Sequence, residues 1–256
     1  EGTLLIDLGT NGELLLKGKD SFFATSCATG PAFEGASLSC GTQAIPGAVN
    51  KISIADKKLY PEFTIINPKN SKKIQPFGVC GTGVISAVAE FCRNQILAPD
   101  GAFKKDEEIT PLQKDENGRS RYVLVPSDTV QDGTTVHISQ KDIRSVQLGK
   151  SALVTGIEFL LKAAGYEKAE KIIIAGAFGT HIEKEDMLTL GMIPETDPDL
   201  VEIAGNSAGA GAVMVLCDNT YLTKAIDMSE QITTIDLATN IKFQKVFVER
   251  LSFPFE

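Results

Sequence analysis

The chain has 256 residues, 43% of them hydrophobic, which is enough to bury a substantial core in one large domain or two small ones. Its formal net charge of −8 argues against non-specific binding to nucleic acid or to an anionic membrane surface. No run of eighteen apolar residues is present, which excludes a membrane-spanning helix in this sequence.

The composition favours a layered α/β protein. Aromatic residues make up only 7% of the chain, Trp is absent and Gly is frequent, which fits packed strands and helices better than an aromatic-rich β-sandwich. The chain begins at Glu1, directly before a predicted strand and without a signal segment, so we expect further sequence upstream.

Five cysteines are scattered along the chain without a C-x-x-C pair: Cys27, Cys40, Cys80, Cys92 and Cys217. An odd number of dispersed cysteines in an acidic chain predicts reduced thiols in a cytoplasmic protein. The alternative is that Cys27 and Cys40, or copies of Cys80 across a dimer, hold an iron–sulfur cluster, although their spacing gives no support for it.

The first half of the chain begins with a predicted hairpin. Residues 3–8 and 13–17 are predicted strands joined by a tight glycine turn. Residues 26–49 are too rich in glycine for a regular helix and too apolar for a linker, so they predict a packed irregular segment with a short helix near residues 31–36. Residues 51–66 alternate as one or two strands, and residues 84–97 carry an apolar stripe at helical spacing.

The second half predicts alternating strands and helices. A helix begins at the capping-box sequence SQKD, at Ser139, and stops at Gly165. The β-branched run KIIIAG at residues 171–176 is typical of a strand covered on both faces. Residues 205–216 predict a Gly/Ala-rich helix suited to close backbone packing, and residues 233–237 predict a strand.

The opening stretch LLIDLGTNGELLL interrupts its own hydrophobic pattern with a carboxylate and two glycines. In such a hairpin Gly9 and Gly12 allow the backbone to approach an anion closely, and the Thr10 hydroxyl and nearby N–H groups can donate to phosphate oxygens. Asp7 repels phosphate directly, so its expected role is to hold Mg²⁺. An ordinary hairpin with a capping Asp explains the same stretch.

Two further glycine clusters favour a nucleotide ligand. The sequence CGTG places Gly81, Thr82 and Gly83 at the N-terminus of a predicted helix, where unpaired N–H groups and the helix dipole attract anions. The sequence IIIAGAFG places Gly176 and Gly179 at the end of a buried strand, where α/β proteins bind ligands.

The order of these motifs resembles the second lobe of the actin, Hsp70 and sugar-kinase superfamily. The resemblance rests on a phosphate hairpin (IDLGTNGE), an adenosine motif (IIIAGAFG) and a Gly/Ala helix (GNSAGAGAV). The chain is also similar, nearly end to end, to the ATPase domain of reductive activators of corrinoid proteins. The segments that carry this similarity are ATSCATGPAFEGASLSCGTQAIPGAV, GVCGTGVISAV, ISQKDIRSVQLGKSAL and GAFGTHI.

This resemblance implies an α/β fold: a ribonuclease H-like lobe with a mixed sheet flanked by helices and a loop-and-strand insertion. It implies one nucleotide-binding lobe over residues 1–256, with the insertion at roughly residues 24–75 and a second peripheral segment at roughly residues 99–138. Because the sequence has only one D-x-G-T hairpin, we expect the first lobe and the ferredoxin domain of such proteins to be absent from this chain.

The implied function is ATP-dependent reduction of a Co(II) corrinoid protein to Co(I), in support of methyl transfer that includes O-demethylation. The electron would come from a [2Fe–2S] cluster on an N-terminal domain outside this chain, and the implied cofactors of the chain itself are ATP and Mg²⁺. We expect ATP hydrolysis by the chain alone to be weak or absent, because half of the phosphate cradle is missing.

The resemblance also implies a site. Asp7, Gly9, Thr10, Asn11 and Gly12 would face the β- and γ-phosphates, with Asp7 holding Mg²⁺; Gly81, Thr82 and Gly83 would line the same cleft; Gly176, Ala177, Phe178 and Gly179 would contact adenine or ribose. Glu13 would polarise water, or would be only an exposed hairpin carboxylate. Neither of the two histidines, His137 and His181, is assigned a catalytic role.

Two other functions remain open at this stage. The chain could be a docking or homodimerisation module in which residues 28–36 form the interface, and its mass across protein concentrations would test this. It could also be a small-molecule kinase of the same superfamily, although no polar constellation defines a substrate pocket.

Overall fold

A computed structural model describes residues 1–68, 74–105, 108–130, 133–176 and 178–254. The described strands are β1 (Thr3–Leu8), β2 (Gly12–Lys17), β3 (Phe22–Cys27), β4 (Ala48–Ser53), β5 (Glu62–Ile65), β6 (Gly78–Val79), β7 (Leu112–Lys114), β8 (Ser120–Val125), β9 (Val136–Ser139), β10 (Lys171–Ala175), β11 (Val201–Gly205) and β12 (Ile232–Thr234). The described α-helices are α1 (Gly81–Arg93), α2 (Gln140–Ala163), α3 (Lys184–Leu190), α4 (Ser207–Cys217), α5 (Asn219–Ser229) and α6 (Ile241–Glu249). Short 3-10 helices cover Pro31–Glu34, Gly179–His181 and Pro198–Leu200.

A six-stranded mixed sheet forms the centre of the fold, in the order β11-β10-β1-β2-β3-β12. The hairpin β1–β2 is antiparallel, whereas β10 lies parallel to β1 on its other side. The carboxyl ends of β1 and β10 therefore meet at one edge of the sheet. The predicted α/β class with a mixed sheet flanked by helices is confirmed.

Helix α2 covers one face of this sheet. Alternate residues of β1 and β2 are almost completely buried on that face, including Leu4, Ile6 and Leu14. The helix comes close because Gly156 has no side chain: a Cβ there would lie only 3.0 Å from Cδ1 of Leu14. Ser139 caps the helix with the predicted capping box, in which the Asp142 carboxylate accepts a hydrogen bond from the Ser139 N–H at 2.8 Å.

Two small sheets lie mostly within the two predicted peripheral segments. Strands β4, β5 and β6 form one three-stranded sheet, although β6 follows the end of the range 24–75, and β7, β8 and β9 form another. The range 24–75 overlaps β3, a member of the central sheet, because residues 24–27 continue the ladder of β2. The division of the chain into a lobe with insertions remains a prediction.

Helices α1 and α4 differ from their sequence-based descriptions. Helix α1 begins at Gly81, three residues earlier than predicted, because Cys80 is its N-cap and the CGTG glycines enter the first turn. Helix α4 is present as predicted, yet none of its residues is buried. Its expected close backbone packing is therefore not seen in the described part of the chain, and Leu216 is 85% exposed. No described helix is both long and apolar enough to cross a bilayer.

Polar residues of α2 hold the C-terminal segment. The Gln147 side chain donates to the carbonyl of Leu251 at 2.8 Å, and the Lys150 ammonium donates to the carbonyl of Ser252. The same ammonium lies 5.5 Å from the ring centroid of Phe253. Burial lowers the pKa of Lys150 to about 8, while Cys92 raises it and Arg250 lowers it by smaller amounts. This lysine therefore joins the helix to the tail and carries a buried charge at neutral pH.

Replacing Lys150 by Met should change how stability depends on pH. In the unfolded chain this lysine keeps its proton up to a pKa of about 10.4. Between pH 8 and that value the unfolded state binds more protons than the folded state, so the lysine's contribution to stability rises with pH. From pH 7 to pH 10, the unfolding free energy of the wild type should rise by about 2–3 kcal/mol relative to Lys150→Met in urea titrations. Parallel pH profiles for the two proteins would contradict this account.

Candidate functional site

The β1–β2 hairpin places two carboxylates side by side. Asp7 is paired directly with Glu13 across the antiparallel ladder, so both side chains lie on the same face of the sheet. Asp7 is half-buried and Glu13 is exposed, with the Ser26 hydroxyl donating to Glu13 Oε1 at 3.4 Å. Like charges directly opposite each other are destabilising, and a bound cation would relieve that repulsion.

The turn of the hairpin presents its peptide groups in a defined direction. The Thr29 hydroxyl lies 3.2 Å from the carbonyl oxygen of Gly9 and 3.0 Å from that of Thr10, and the Gly30 N–H donates to the same Thr10 carbonyl at 3.1 Å. In a planar trans peptide the N–H points opposite to the C=O. The N–H groups of Thr10 and Asn11 are therefore directed away from Thr29, and both of these residues are exposed.

The adenosine motif contacts the hairpin at the carboxyl ends of β1 and β10. A Cβ on Gly176 would lie 2.6 Å from Oδ1 of Asp7 and 2.4 Å from the carbonyl oxygen of Leu8, and Gly176 has a φ of +95°. A Cβ on Gly179 would lie 3.7 Å from the Cβ atom of Leu8. Two of the three predicted glycine clusters therefore meet. Ala177 of the same motif lies outside the described residues.

The 3-10 helix Pro31–Glu34 connects the third cluster to these two. The Thr10 hydroxyl donates to the Glu34 carboxylate, which holds the end of this 3-10 helix against the hairpin. The Phe33 ring stacks on the Phe178 ring with centroids 5.7 Å apart and planes 2° apart. A Cβ on Gly81 would lie 1.6 Å from the Phe33 carbonyl oxygen and 2.5 Å from the Phe178 ring.

Most of the predicted site glycines have a packing role. Cβ atoms on Gly12, Gly81, Gly83, Gly176 or Gly179 would come within about 3 Å of neighbouring protein atoms. Gly9 is different: among the described residues other than its two chain neighbours, the nearest atom to a Cβ there is the carbonyl oxygen of Asn11, at 3.8 Å. The hairpin is therefore open on the side of Gly9, which fits close approach by a ligand.

Thr82 does not lie against the hairpin turn in the contacts described. Its hydroxyl is 3.3 Å from Sγ of Cys80, and it lines a small polar recess with Lys51, His181 and Glu183. The prediction that Gly81, Thr82 and Gly83 share one cleft with the hairpin remains a prediction. Gly81 touches the adenosine motif, whereas Thr82 turns toward this recess.

The donor set near the hairpin fits Mg²⁺ held together with phosphate. Within the described residues, no group of three or more His, Cys, Asp or Glu side chains is placed to hold a metal ion. Mg²⁺ commonly takes one or two carboxylates and completes its shell with substrate phosphates and water. Asp7, with Glu13 opposite, matches that requirement, and the exposed amides of the turn match the phosphate.

Thr29, Phe33 and Glu34 were missed as site residues by the sequence analysis. They lie in the segment predicted to be an irregular packed loop, whose contacts with Thr10 and Phe178 are formed only by tertiary folding. The docking hypothesis used the same loop as an interface. The structure buries Ala32 and Phe33, so their apolar side chains are not available to a partner.

The chain is similar to known corrinoid activators along nearly its whole length. The curated corrinoid activation enzyme RamQ of Eubacterium limosum is 33% identical, over 98% of this chain and 42% of its own length. A Co(II) methylated amine-specific corrinoid protein reductase of Methanosarcina barkeri is 26% identical, over 99% of the chain and 46% of its length. A solved reductive activator for corrinoid, iron-sulfur protein superposes with a TM-score of 0.88 at 28% identity, over 99% of the chain and 40% of its own.

The chain thus spans less than half the length of the relatives it matches. A family model described as the C-terminal domain of RACo, the ASKHA domain, matches residues 1–256. An ASKHA domain is a nucleotide-binding domain, in agreement with the predicted class of ligand. The chain belongs to this family, the C-terminal ASKHA domain of RACo, and the predicted relationship to corrinoid activators is confirmed.

Proposed function

We propose that this chain is the ATP-binding part of a reductive activator that returns a Co(II) corrinoid protein to Co(I). The observation that carries the proposal is the meeting of the Asp7–Gly12 hairpin, the glycines Gly176 and Gly179, and the 3-10 helix Pro31–Glu34 at one edge of the sheet. This edge is the place where α/β proteins bind ligands.

The proposed roles follow the geometry. Asp7 holds Mg²⁺, and Glu13 lies opposite it, where it can accept a hydrogen bond from a water molecule of the metal's shell. The amides of Thr10 and Asn11 donate to phosphate oxygens, and the Thr10 hydroxyl does so after leaving Glu34. Gly176 and Gly179, with Phe178 stacked on Phe33, form the wall for adenine or ribose.

ATP would act on the corrinoid protein through a change of conformation. A nucleotide shifts a conformational equilibrium only by the difference in its affinity for the two states. In this proposal ATP bridges this lobe and a second lobe, and closure of the two lobes changes how the activator binds the corrinoid protein. The electron comes from a [2Fe–2S] domain. The proposal assigns both additional domains to other parts of the activator, so we expect the chain alone to hydrolyse ATP weakly or not at all.

Replacing Gly9 by Ala tests the site with little cost to the fold. The added methyl has room, because the nearest described atom beyond its chain neighbours is 3.8 Å away, and it projects from the open side of the hairpin. We expect the affinity for Mg·ATP to fall by about tenfold, or about 1.4 kcal/mol, with the unfolding free energy changed by less than about 0.5 kcal/mol. Calorimetric titration and urea unfolding measure the two quantities. Unchanged affinity would exclude close approach of a ligand at Gly9.

The activator role has its own test. An activator that contains this chain should convert a Co(II) corrinoid protein to Co(I) only when ATP is present, which can be followed by absorbance under reducing conditions. The same activator with Gly9→Ala should require more ATP for half-maximal conversion. Conversion that is as fast without ATP as with it would contradict the proposal, even if the chain binds nucleotide.

A second candidate function is association with another copy of this chain. Large apolar side chains of the last three helices are exposed, among them Leu216 at 85% and Ile241 at 92%. A homodimer covering them should give a mass that rises with protein concentration in sedimentation, and Leu216→Glu should lower that association. A constant monomer mass would exclude it. The small-molecule kinase alternative gains no support from the residues described.

A further inference from the structure

A cysteine and a histidine that the proposed nucleotide site does not use lie in contact. Sγ of Cys40 lies 3.3 Å from Nδ1 of His137, although the two residues are 97 positions apart in the chain. The carbonyl oxygen of Thr135 lies 3.6 Å from the thiol and 3.4 Å from the same ring nitrogen. Both residues are half-buried, so the pair is partly accessible from solvent.

The surrounding structure holds this pair in place. The N–H of Ser39 donates to Asp142 at 2.8 Å, and Asp142 is itself fully buried at the start of α2. On the other side, the Cys40 carbonyl accepts the N–H of Val79 at 2.8 Å, which joins the loop to β6. His137 belongs to β9 and is paired with Val123 of β8. The thiol and the ring are therefore positioned by different elements.

Burial of His137 favours the neutral imidazole, the form that can accept a proton. Burial lowers the pKa of His137, a smaller effect of Arg121 acts in the same direction, and the Thr135 carbonyl, Asp142 and Asp115 oppose it. With its proton on Nε2, the neutral ring offers the Nδ1 lone pair to the thiol. Once Nδ1 has taken that proton, it can donate to the Thr135 carbonyl and to the thiolate.

We propose that Cys40 and His137 form a reactive thiol site that undergoes exchange with low-molecular-weight disulfides. His137 Nδ1 takes the thiol proton, and the Cys40 thiolate attacks one sulfur of the disulfide. The S–S bond of the disulfide breaks as the new S–S bond to Cys40 forms, and the imidazolium gives its proton to a basic leaving thiolate or, when the leaving thiolate is weakly basic, to water. The product is a mixed disulfide on Cys40 that an added thiol can reverse.

The other cysteines provide contrast within the same chain. Cys27, Cys80 and Cys92 are buried, and burial raises the pKa of both Cys27 and Cys92 to about 12. Cys217 is exposed at the end of α4 and is the reference for an ordinary accessible thiol. Simple exposure predicts that Cys217 reacts faster than Cys40; base assistance by His137 predicts the opposite order.

The experiment compares thiol reactivity in two single variants. In the Cys217→Ser variant Cys40 is the partly accessible thiol whose rate is measured. In the Cys40→Ser variant the exposed thiol of Cys217 is measured instead. With 5,5′-dithiobis(2-nitrobenzoate) at pH 7, release of the coloured thiolate should be at least about tenfold faster from Cys40 than from Cys217. Adding His137→Gln to the Cys217→Ser protein should lower the Cys40 rate by at least about tenfold.

The outcomes separate clearly. A Cys40 rate equal to or below that of Cys217 overturns the proposal, as does a rate that His137→Gln leaves unchanged. The first comparison keeps His137 intact, so it decides the question even if the His137 variant does not fold. Peptide mapping after treatment with glutathione disulfide should place the adduct on Cys40, and dithiothreitol should remove it.

Discussion

Replacing Asp7 by Asn is expected to lower the affinity of the protein for Mg·ATP by about 10- to 100-fold, or about 1.4–2.7 kcal/mol. Asn keeps the shape of the side chain against Gly176 but removes the negative charge assigned to Mg²⁺. The substitution also ends the repulsion between Asp7 and Glu13 across the hairpin, so the unfolding free energy should stay the same or rise by a few tenths of a kcal/mol.

The metal dependence of this loss identifies its cause. Without Mg²⁺ the Asp7 carboxylate only repels phosphate, so Asp7→Asn should bind metal-free ATP as well as the wild type or better. Asp20→Asn is the matched control, because Asp20 is an exposed carboxylate in the turn after β2, at the opposite end of that strand. Equal losses of affinity with and without Mg²⁺ would contradict a metal role for Asp7.

Replacing Gly81 by Ala is expected to destabilise the fold by about 3 kcal/mol or more. The new Cβ would overlap the Phe33 carbonyl oxygen at 1.6 Å and the Phe178 ring at 2.5 Å, and the carbonyl belongs to a 3-10 helix whose Phe33 is completely buried. Either α1 or the 3-10 helix must shift. At this chain length the loss corresponds to a decrease in Tm of about 10 °C, measurable by calorimetry.

Gly211→Ala provides the control for this prediction. Apart from neighbouring residues of its own helix, no described atom lies within 4 Å of a Cβ on Gly211, which is in the interior of α4. Because Ala favours helix over Gly, this variant should be more stable by about 0.5–1 kcal/mol. A Gly81→Ala protein as stable as the wild type would show that the contact between α1 and the 3-10 helix is looser than described.

The sequence predicted the fold well where local chemistry determines it. The β1–β2 hairpin, the capping box at Ser139 and the stop near Gly165 depend on residue patterns within a few positions, and the structure has all three. The start of α1 was placed three residues too late, because glycines in CGTG suggest a loop. In the structure Gly81 and Gly83 are helical, and packing against Phe33 and Val49 explains the glycines.

The candidate site was predicted only in part for a physical reason. Asp7, Gly9 and Gly176 belong to strand ends that parallel pairing of β1 and β10 brings together, so motif order was informative. Glu34 joins the site through a hydrogen bond from Thr10, 24 residues earlier in the chain. Phe33 joins it by stacking on Phe178, which is also distant in sequence. No local pattern encodes such contacts. The pair of Cys40 and His137 was missed for the same reason.

The most direct test of the nucleotide site is an NMR measurement with Mn²⁺ in place of Mg²⁺. Bound Mn²⁺·ATP broadens the amide signals of nearby residues, so it reports where the metal lies. The account predicts broadening at Asp7 to Gly12 and at Gly176 and Gly179, reversed by excess Mg²⁺·ATP and absent in Asp7→Asn. Broadening centred elsewhere, or saturable ATP binding that leaves the hairpin amides sharp, would contradict it.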